Sequence, residues 1–348
     1  EVLIFSAGYD ESQDDYTVRT VDTIGRAIYI VDAETGGLLW SGGPTSNDFT
    51  ERFAEMKYSI PSEVRVIDVN GDSLADQMYV GDMGGQIWRF DINNGGNTGD
   101  LVAGAVIADL AGSSAADNRR FYHAPDVSVL SEGSAKNLMI VVGSGYQAHP
   151  LNKTIEDRLY GIRSSDVFEK PLTYTKLTEG GVAANGLYDA TENHLGHVSA
   201  QNTLAQQAAA YSGLAAASGW FIKLQGTNTT AGSGEKVLAT TTTVGGDVFF
   251  TTYEPTASSS AGCTVSAGTP WLYHINVAGA TPVKNYDGIG LDTELTVPDR
   301  RVQLQTPAIP ASPQRLRVDG QDIICVGTEC ETITSAETLI KTYWLEED

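Results

Sequence analysis

Short runs of β-branched, aliphatic and aromatic residues recur along this 348-residue chain, each ended by a Gly, Asn or Asp turn, and this recurrence points to an all-β fold. Ala27–Trp40 reads as a hairpin turning at Glu34–Gly37. Gly84–Gly95 repeats its first half: a small turn, four strand residues, an Asp and another turn. Weaker echoes lie at Asp157–Ile162 and Trp271–Asn276, and Val127–Leu130, Leu138–Val142 and Val248–Tyr253 fit as inner strands. Strands that return an aromatic or apolar residue every ~40–60 residues or more suggest β-propeller blades. The expected architecture is a modified β-propeller of about seven irregular blades with long loop insertions. Ala200–Ala217, rich in Ala and Gln, reads as a short helical insertion. Thr227–Gly234 and Thr256–Gly268 read as surface loops. No linker cuts the chain, so one domain over residues 1–348 is expected. Trp40, Trp88, Trp220, Trp271 and Trp344 are expected to anchor blade packing.

The 44 acidic residues against 22 basic give a net charge of −22. Such a chain repels nucleic acid and anionic membrane, which disfavours both as partners. No apolar run reaches the ~18 residues that a membrane-spanning helix needs. The sequence opens on Glu1, with neither Met nor a signal sequence, and is expected to be a processed or excised piece of something longer. Of three cysteines, Cys325 and Cys330 close a small loop that Gly327 can turn, which favours a local disulfide and an oxidising compartment. Cys263 is either free or a competitor for that pairing. A lone C-x₄-C pair is a poor zinc signal.

The chemistry concentrates in Asp68-Val69-Asn70-Gly71-Asp72-Ser73-Leu74-Ala75-Asp76. Side-chain oxygens fall at loop positions 1, 3, 5 and 9 (Asp68, Asn70, Asp72 and Asp76), and Leu74 at position 7 offers its backbone carbonyl. A hard cation such as Ca²⁺ takes six to eight oxygens, and alternate residues of a tight loop supply them. Two positions depart from the EF-hand: Ser73 replaces the Gly of position 6, and Tyr79 replaces the bidentate Glu of position 12. The flanks, Ser62–Ile67 and Gln77–Val80, read as strands, so the loop would close a β-hairpin. The competing reading is an Asx-rich turn that binds nothing. Without the position-12 carboxylate, an affinity below that of an intact EF-hand is expected.

Other candidates are weaker. His194 and His197 have the spacing to clamp Zn²⁺ but lack a third ligand nearby. Asp10-Glu-Ser-Gln-Asp14-Asp15 lacks strict alternation and reads as a solvated acidic loop rather than a second cation site. Arg119-Arg120 is too short for a polyanion patch. Asp10, Asp22, Asp82 and Asp126 would pair as catalytic carboxylates only if the fold brought them together. No Gly-x-Ser-x-Gly, P-loop or GxGxxG context appears.

Several stretches taken together resemble the C-terminal domain of the type IV pilus biogenesis and adhesin family PilY/PilC. They are Val2–Asp10, Ala27–Trp40, Tyr58–Asp91 with the acidic loop inside it, Arg119–Asp126, Gly143–Gly145 with His149–Asn152, Gly219–Leu224, Gly234–Val237 and Val248–Tyr253. The resemblance implies a secreted, cell-surface or pilus-associated protein exported through the periplasm, with pilins, minor pilins or pilus machinery as partners. It also implies Ca²⁺ on Asp68, Asn70, Asp72, Leu74 and Asp76, whose occupancy acts on pilus extension and retraction, and hence on twitching motility, adhesion and virulence. The variable adhesive half of the family, through which a host surface would be reached, is expected to lie outside this piece, and the sequence given has no Arg-Gly-Asp tripeptide. The main enzymatic alternative is a quinoprotein dehydrogenase, whose D-x-x-T-G-x-x-x-W element matches Asp32–Trp40. Only one good copy of that element is present and no cysteines are adjacent, so a non-enzymatic role is expected. A third reading is a structural or docking module whose calcium only staples a hairpin.

Overall fold

The computed structural model describes residues 1–132, 135–180, 185–199, 202–224, 232–256 and 268–333. Among them the chain is mostly β, with five sheets and one α-helix. Its contacts divide the described residues into two compact units: Glu1–Pro125 with Asp166–Thr178, and Asp126–Ser165 with residues 179–333. Neither unit is one unbroken stretch of sequence.

The first unit holds two sheets. In the first, β1 (Val2–Ser6), β2 (Ile28–Asp32) and β3 (Leu38–Gly43) run antiparallel, and β4 (Glu51–Arg52) adds in parallel to β3. In the second, β5 (Arg65–Ile67), β6 (Gln77–Gly81), β7 (Gln86–Ile92) and β8 (Val102–Asp109) form an antiparallel meander. The predicted Glu34–Gly37 turn forms because Asp32 Oδ1 accepts from the Glu34 and Thr35 amides at 3.1 and 2.7 Å, while Gly36 takes a φ of 69° that glycine adopts without strain. The two sheets share a core of Ile28, Ile30, Trp40, Met78, Val80, Trp88 and Phe90. Trp40 stands edge-on to Phe90, and Trp88 stacks on it with centroids 5.8 Å apart.

The second unit holds three sheets. The third sheet joins β9 (Asp126–Glu132), β10 (Ala135–Gly143) and β11 (Arg158–Ser164) to β14 (Gly219–Lys223), all antiparallel. The fourth is built on β17 (Asp247–Glu254) and β18 (Thr269–Asn276), flanked by β15 (Lys236–Val237), β16 (Thr242–Val244) and β19 (Arg301–Gln303). The fifth is a meander of β20 (Gln314–Val318), β21 (Gln321–Val326) and β22 (Glu329–Ile333). Trp220, Val141 and Leu159 pack with Val248, Phe250 and Ile275 between the third and fourth sheets, and Phe249 and Leu272 pack with Ile324 and Val326 between the fourth and fifth.

One device recurs. A two-residue strand adds in parallel to the terminal strand of three meanders: β4 on β3, β12 (Leu177–Thr178) on β8, and β13 (Tyr188–Asp189) on β14. Such strands cover backbone donors and acceptors that an open sheet edge would expose. The helix α1 (Leu204–Ala216) starts later than the Ala/Gln composition suggests, because Thr203 and Gln206 form a reciprocal capping box that fixes its first turn. Trp40, Trp88 and Trp220 are fully buried and Trp271 is half-buried, as expected of packing anchors. Trp344, Cys263 and most of the two expected surface loops lie outside the described residues.

Candidate metal centre

Residues 68–76 form the loop that closes the β5–β6 hairpin. Its base is welded to the second sheet: the Asp76 amide donates to the Ile67 carbonyl at 2.9 Å, and the Asp76 carbonyl accepts from the Ile92 amide at 2.7 Å. Asn94 reaches in from beyond β7 and donates its side-chain amide to the Ala75 carbonyl at 3.1 Å. Within the loop the polar side chains hold the backbone. Asp68 Oδ1 accepts from the Asn70 and Gly71 amides at 3.2 and 2.6 Å, and its Oδ2 from the Ser73 amide at 2.8 Å. Asn70 Oδ1 accepts from Asp72, and Asp72 Oδ1 from Leu74. Asp76 Oδ2 accepts from the Val69 amide at 2.9 Å, and Asn70 Nδ2 lies 3.3 Å from Asp76 Oδ1. Asp68, Asn70, Asp72 and Asp76 therefore share one nine-residue loop with Leu74 between them.

The backbone accounts for the two EF-hand departures differently. Gly71 takes a φ of 82°, and Ser73 takes 70°. Position 6 of the EF-hand requires the left-handed region for its sharp turn, and Ser73 adopts that region although it is not glycine. Tyr79, at position 12, is fully buried in β6 with its hydroxyl donating to Gln77 Oε1, so it contributes no ligand.

The donor set suits a hard cation: three carboxylates, one amide oxygen and one backbone carbonyl. An ionised carboxylate offers about four lone-pair sites, and Asp72 and Asp76 each accept only one or two hydrogen bonds. Burial pushes the Asp76 carboxyl up, and the charges of Asp72 and Asp68 push the same way, against the Val69 amide. A cation beside it would reverse that repulsion. Among the described residues, no three His, Cys, Asp or Glu side chains stand together as a ready-made metal cluster. Each loop carboxylate accepts from loop amides. Leu74, half-exposed, borders a cavity of about 610 Å³ lined by Ile4, Ile30, Val66, Ile92 and Leu101.

The other acidic candidates are structural. Asp10 is buried at the start of a short 3-10 helix (Glu11–Asp15) and accepts from Ser12, Thr23 and Ile24, which holds its carboxyl well below the usual range. The solvated acidic loop expected there is corrected at this residue: local amides, not water, satisfy it. Asp14 accepts from Tyr122 at 3.1 Å and from Tyr9. Asp22 accepts from the Ser59 amide at 2.6 Å, and Asp126 from the Thr243 amide at 2.7 Å. Asp82 is fully buried in the β6–β7 turn, where it accepts from the Gly84 and Gln86 amides and from Trp88 Nε1, each at 2.9 Å. Gln86 adds a fourth donor when its side-chain NH₂ faces Asp82 Oδ2. Glycine is required at position 84, where a Cβ would fall 2.0 Å from the Tyr58 ring. Arg119 and Arg120 are buried; Arg119 binds the Leu110 carbonyl and Asp117, and Arg120 the Gln13 and Tyr16 carbonyls. Their role went unseen in the sequence because the partners lie up to 107 residues away. His194 and His197 lie in a turn rather than on a helix, where Asn202 Nδ2 donates to both their carbonyls. Cys325 and Cys330 face each other across β21 and β22 and form the local disulfide.

No protein-family model matches the chain. In fold it is similar to the crystal structure of the Pseudomonas aeruginosa PilY1 C-terminal domain, with a TM-score of 0.64 over 97% of this chain and 69% of that one, at 16% sequence identity. In sequence it is similar to the type IV pilus biogenesis factor PilY1 homolog of Xylella fastidiosa, at 28% identity over 274 residues. That match covers 74% of this chain but 17% of the relative's length. The resemblance to the PilY/PilC C-terminal domain holds in both sequence and fold.

Proposed function

We propose that this chain is a calcium-binding, PilY1-like domain of a type IV pilus-associated protein, displayed at the cell surface after export through the periplasm. Ca²⁺ is held by Asp68, Asn70, Asp72 and Asp76 and by the Leu74 carbonyl. The observation that carries this reading is the left-handed backbone of Ser73, the conformation that a cation loop needs at position 6. Asp68, Asp72 and Asp76 repel one another in the empty loop, and Ca²⁺ turns that repulsion into ordered coordination. Occupancy then biases pilus extension against retraction through pilins, minor pilins or pilus machinery, and so affects twitching motility and adhesion. Successive sheets packed face to face support a modified propeller, with about seven blades the count proposed for the whole domain. The reading is non-enzymatic: Asp10, Asp22, Asp82 and Asp126 each serve backbone donors, and Asp32–Trp40 works as a capped turn and a core anchor.

A second reading, a calcium-stapled structural or docking module, is favoured by the welded base of the loop and by the apolar cavity beside Leu74. The test introduces Asp76→Ala into the intact parent protein and scores piliation and twitching with and without added calcium. Normal surface protein with calcium-insensitive motility supports the signal. Unchanged calcium-responsive motility contradicts it.

A further inference from the structure

The second unit contains a pocket of about 500 Å³ among β14, β18, β19 and the 3-10 helix Val297–Arg300 that precedes β19. In a chain with twice as many acidic as basic residues, its lining is inverted. Lys223, Arg300 and Arg301 border it against a single carboxylate, Asp287. Trp271, Tyr273 and Tyr286 supply aromatic walls.

The three cations differ in what neutralises them. Lys223 Nζ lies 2.8 Å from Asp189 Oδ2, and Arg301 Nη1 lies 2.8 Å from Glu235 Oε2 with its guanidinium 4.1 Å above the Trp271 ring. Arg300 is 3% exposed, and its two Nη groups donate to the Thr191 and Ala190 carbonyls at 2.7 and 2.6 Å. Its Nε has no hydrogen-bond partner among the described residues. The carbonyls satisfy hydrogen bonds, Glu192 and Asp189 act on the guanidinium through space without pairing with it, and their attraction falls short of the cost of burying the charge. Burial accordingly pushes the Arg300 guanidinium down to about 10. An anion in the adjoining space would offset that cost, and the aromatic walls would receive its carbon body.

We propose that this pocket binds a small organic carboxylate, with its charge beside Arg300 and Lys223 and its apolar body against Trp271, Tyr273 and Tyr286. The proposal stands independently of calcium binding. The probe is benzoate, followed by ¹H–¹⁵N NMR on the folded domain at the Trp271 indole N–H, which donates to Glu254 Oε2 at 3.2 Å. Benzamide is the neutral control. Benzoate is expected to shift the indole saturably, and benzamide to bind about tenfold more weakly or worse, because charge-assisted hydrogen bonds exceed neutral ones by that order. Lys223→Met, a partly exposed position, is expected to weaken benzoate severalfold while keeping the dispersed spectrum. Arg300→Lys is the second variant, since larger changes would strip the Ala190 and Thr191 carbonyls of their donor. Equal responses to benzoate and benzamide, no saturable shift, or benzoate binding indifferent to both variants would overturn the proposal.

Discussion

Ser73 holds a left-handed conformation that costs an L-residue about 1–2 kcal/mol, at a loop position where glycine would hold it freely. Ser73→Gly is therefore expected to raise stability by about 1 kcal/mol and to leave the hydrogen bonds of Asp68, Asn70, Asp72 and Asp76 in place. Chemical denaturation checks this, and a loss of stability would show that the Ser73 side chain does more than tolerate its backbone. Asp82 works in the opposite sense, since its replacement by Ala orphans three buried donors and is expected to cost about 3 kcal/mol or more. Burial pushes its carboxyl up to about 7, against the hydrogen bonds from Trp88, Gln86 and Gly84. A raised folded pKa means that the folded state keeps a proton the unfolded chain has released. The contribution is present in full below the ordinary carboxylate range and is lost as pH rises through about 7. Asp22, also pushed up by burial, adds in the same direction. Melting temperature should thus climb as pH falls from about 8 to about 5.5, with a shallower climb in Asp82→Asn; identical slopes would remove Asp82 as the cause.

The strands carry their own signatures. Leu138–Val142 was legible because a strand buried on both faces reads as a continuous apolar run, and Val248–Tyr253 because β-branched and aromatic residues fill it. The disulfide was legible because a five-residue separation with Gly327 at the turn places Cys325 opposite Cys330 in a hairpin register. Replacing both cysteines with Ser is expected to cost about 2 kcal/mol by the loop-closure argument, and a thermal melt of the double variant reads it. Thr203→Ala should cost about 1 kcal/mol and lower amide protection along α1. The paired strands β4, β12 and β13 were not legible, since two residues carry no periodicity and their partners are set by the tertiary fold. Asp10 was misjudged, and the packing role of Arg120 was not legible, for a similar reason: charge in the sequence suggests solvent, but backbone groups remote in sequence claim these side chains.

At the scale of the molecule, the two compact units interleave in sequence, with Asp166–Thr178 returning to the first after Asp126–Ser165 has begun the second. No linker composition marks such crossings, so the sequence shows none. That residues 68–76 close a hairpin was legible, because the strand flanks and the Asp-, Asn- and Gly-rich turn lie side by side in the sequence. The loop's electrostatic state was not, because the burial of Asp76 depends on β7 and Asn94 folding over it. With a net charge of −22, the molecule will gather many cations loosely, so only stoichiometry and mutation separate a site from an atmosphere. The decisive measurement is a calorimetric calcium titration of chelator-stripped protein alongside Asp76→Ala, with thermal melts at each calcium level. One saturable site in the parent, absent from a variant that still melts cooperatively, is the predicted result. No saturable binding at millimolar calcium, or equal binding by the variant, would contradict it and leave residues 68–76 as an Asx-rich turn.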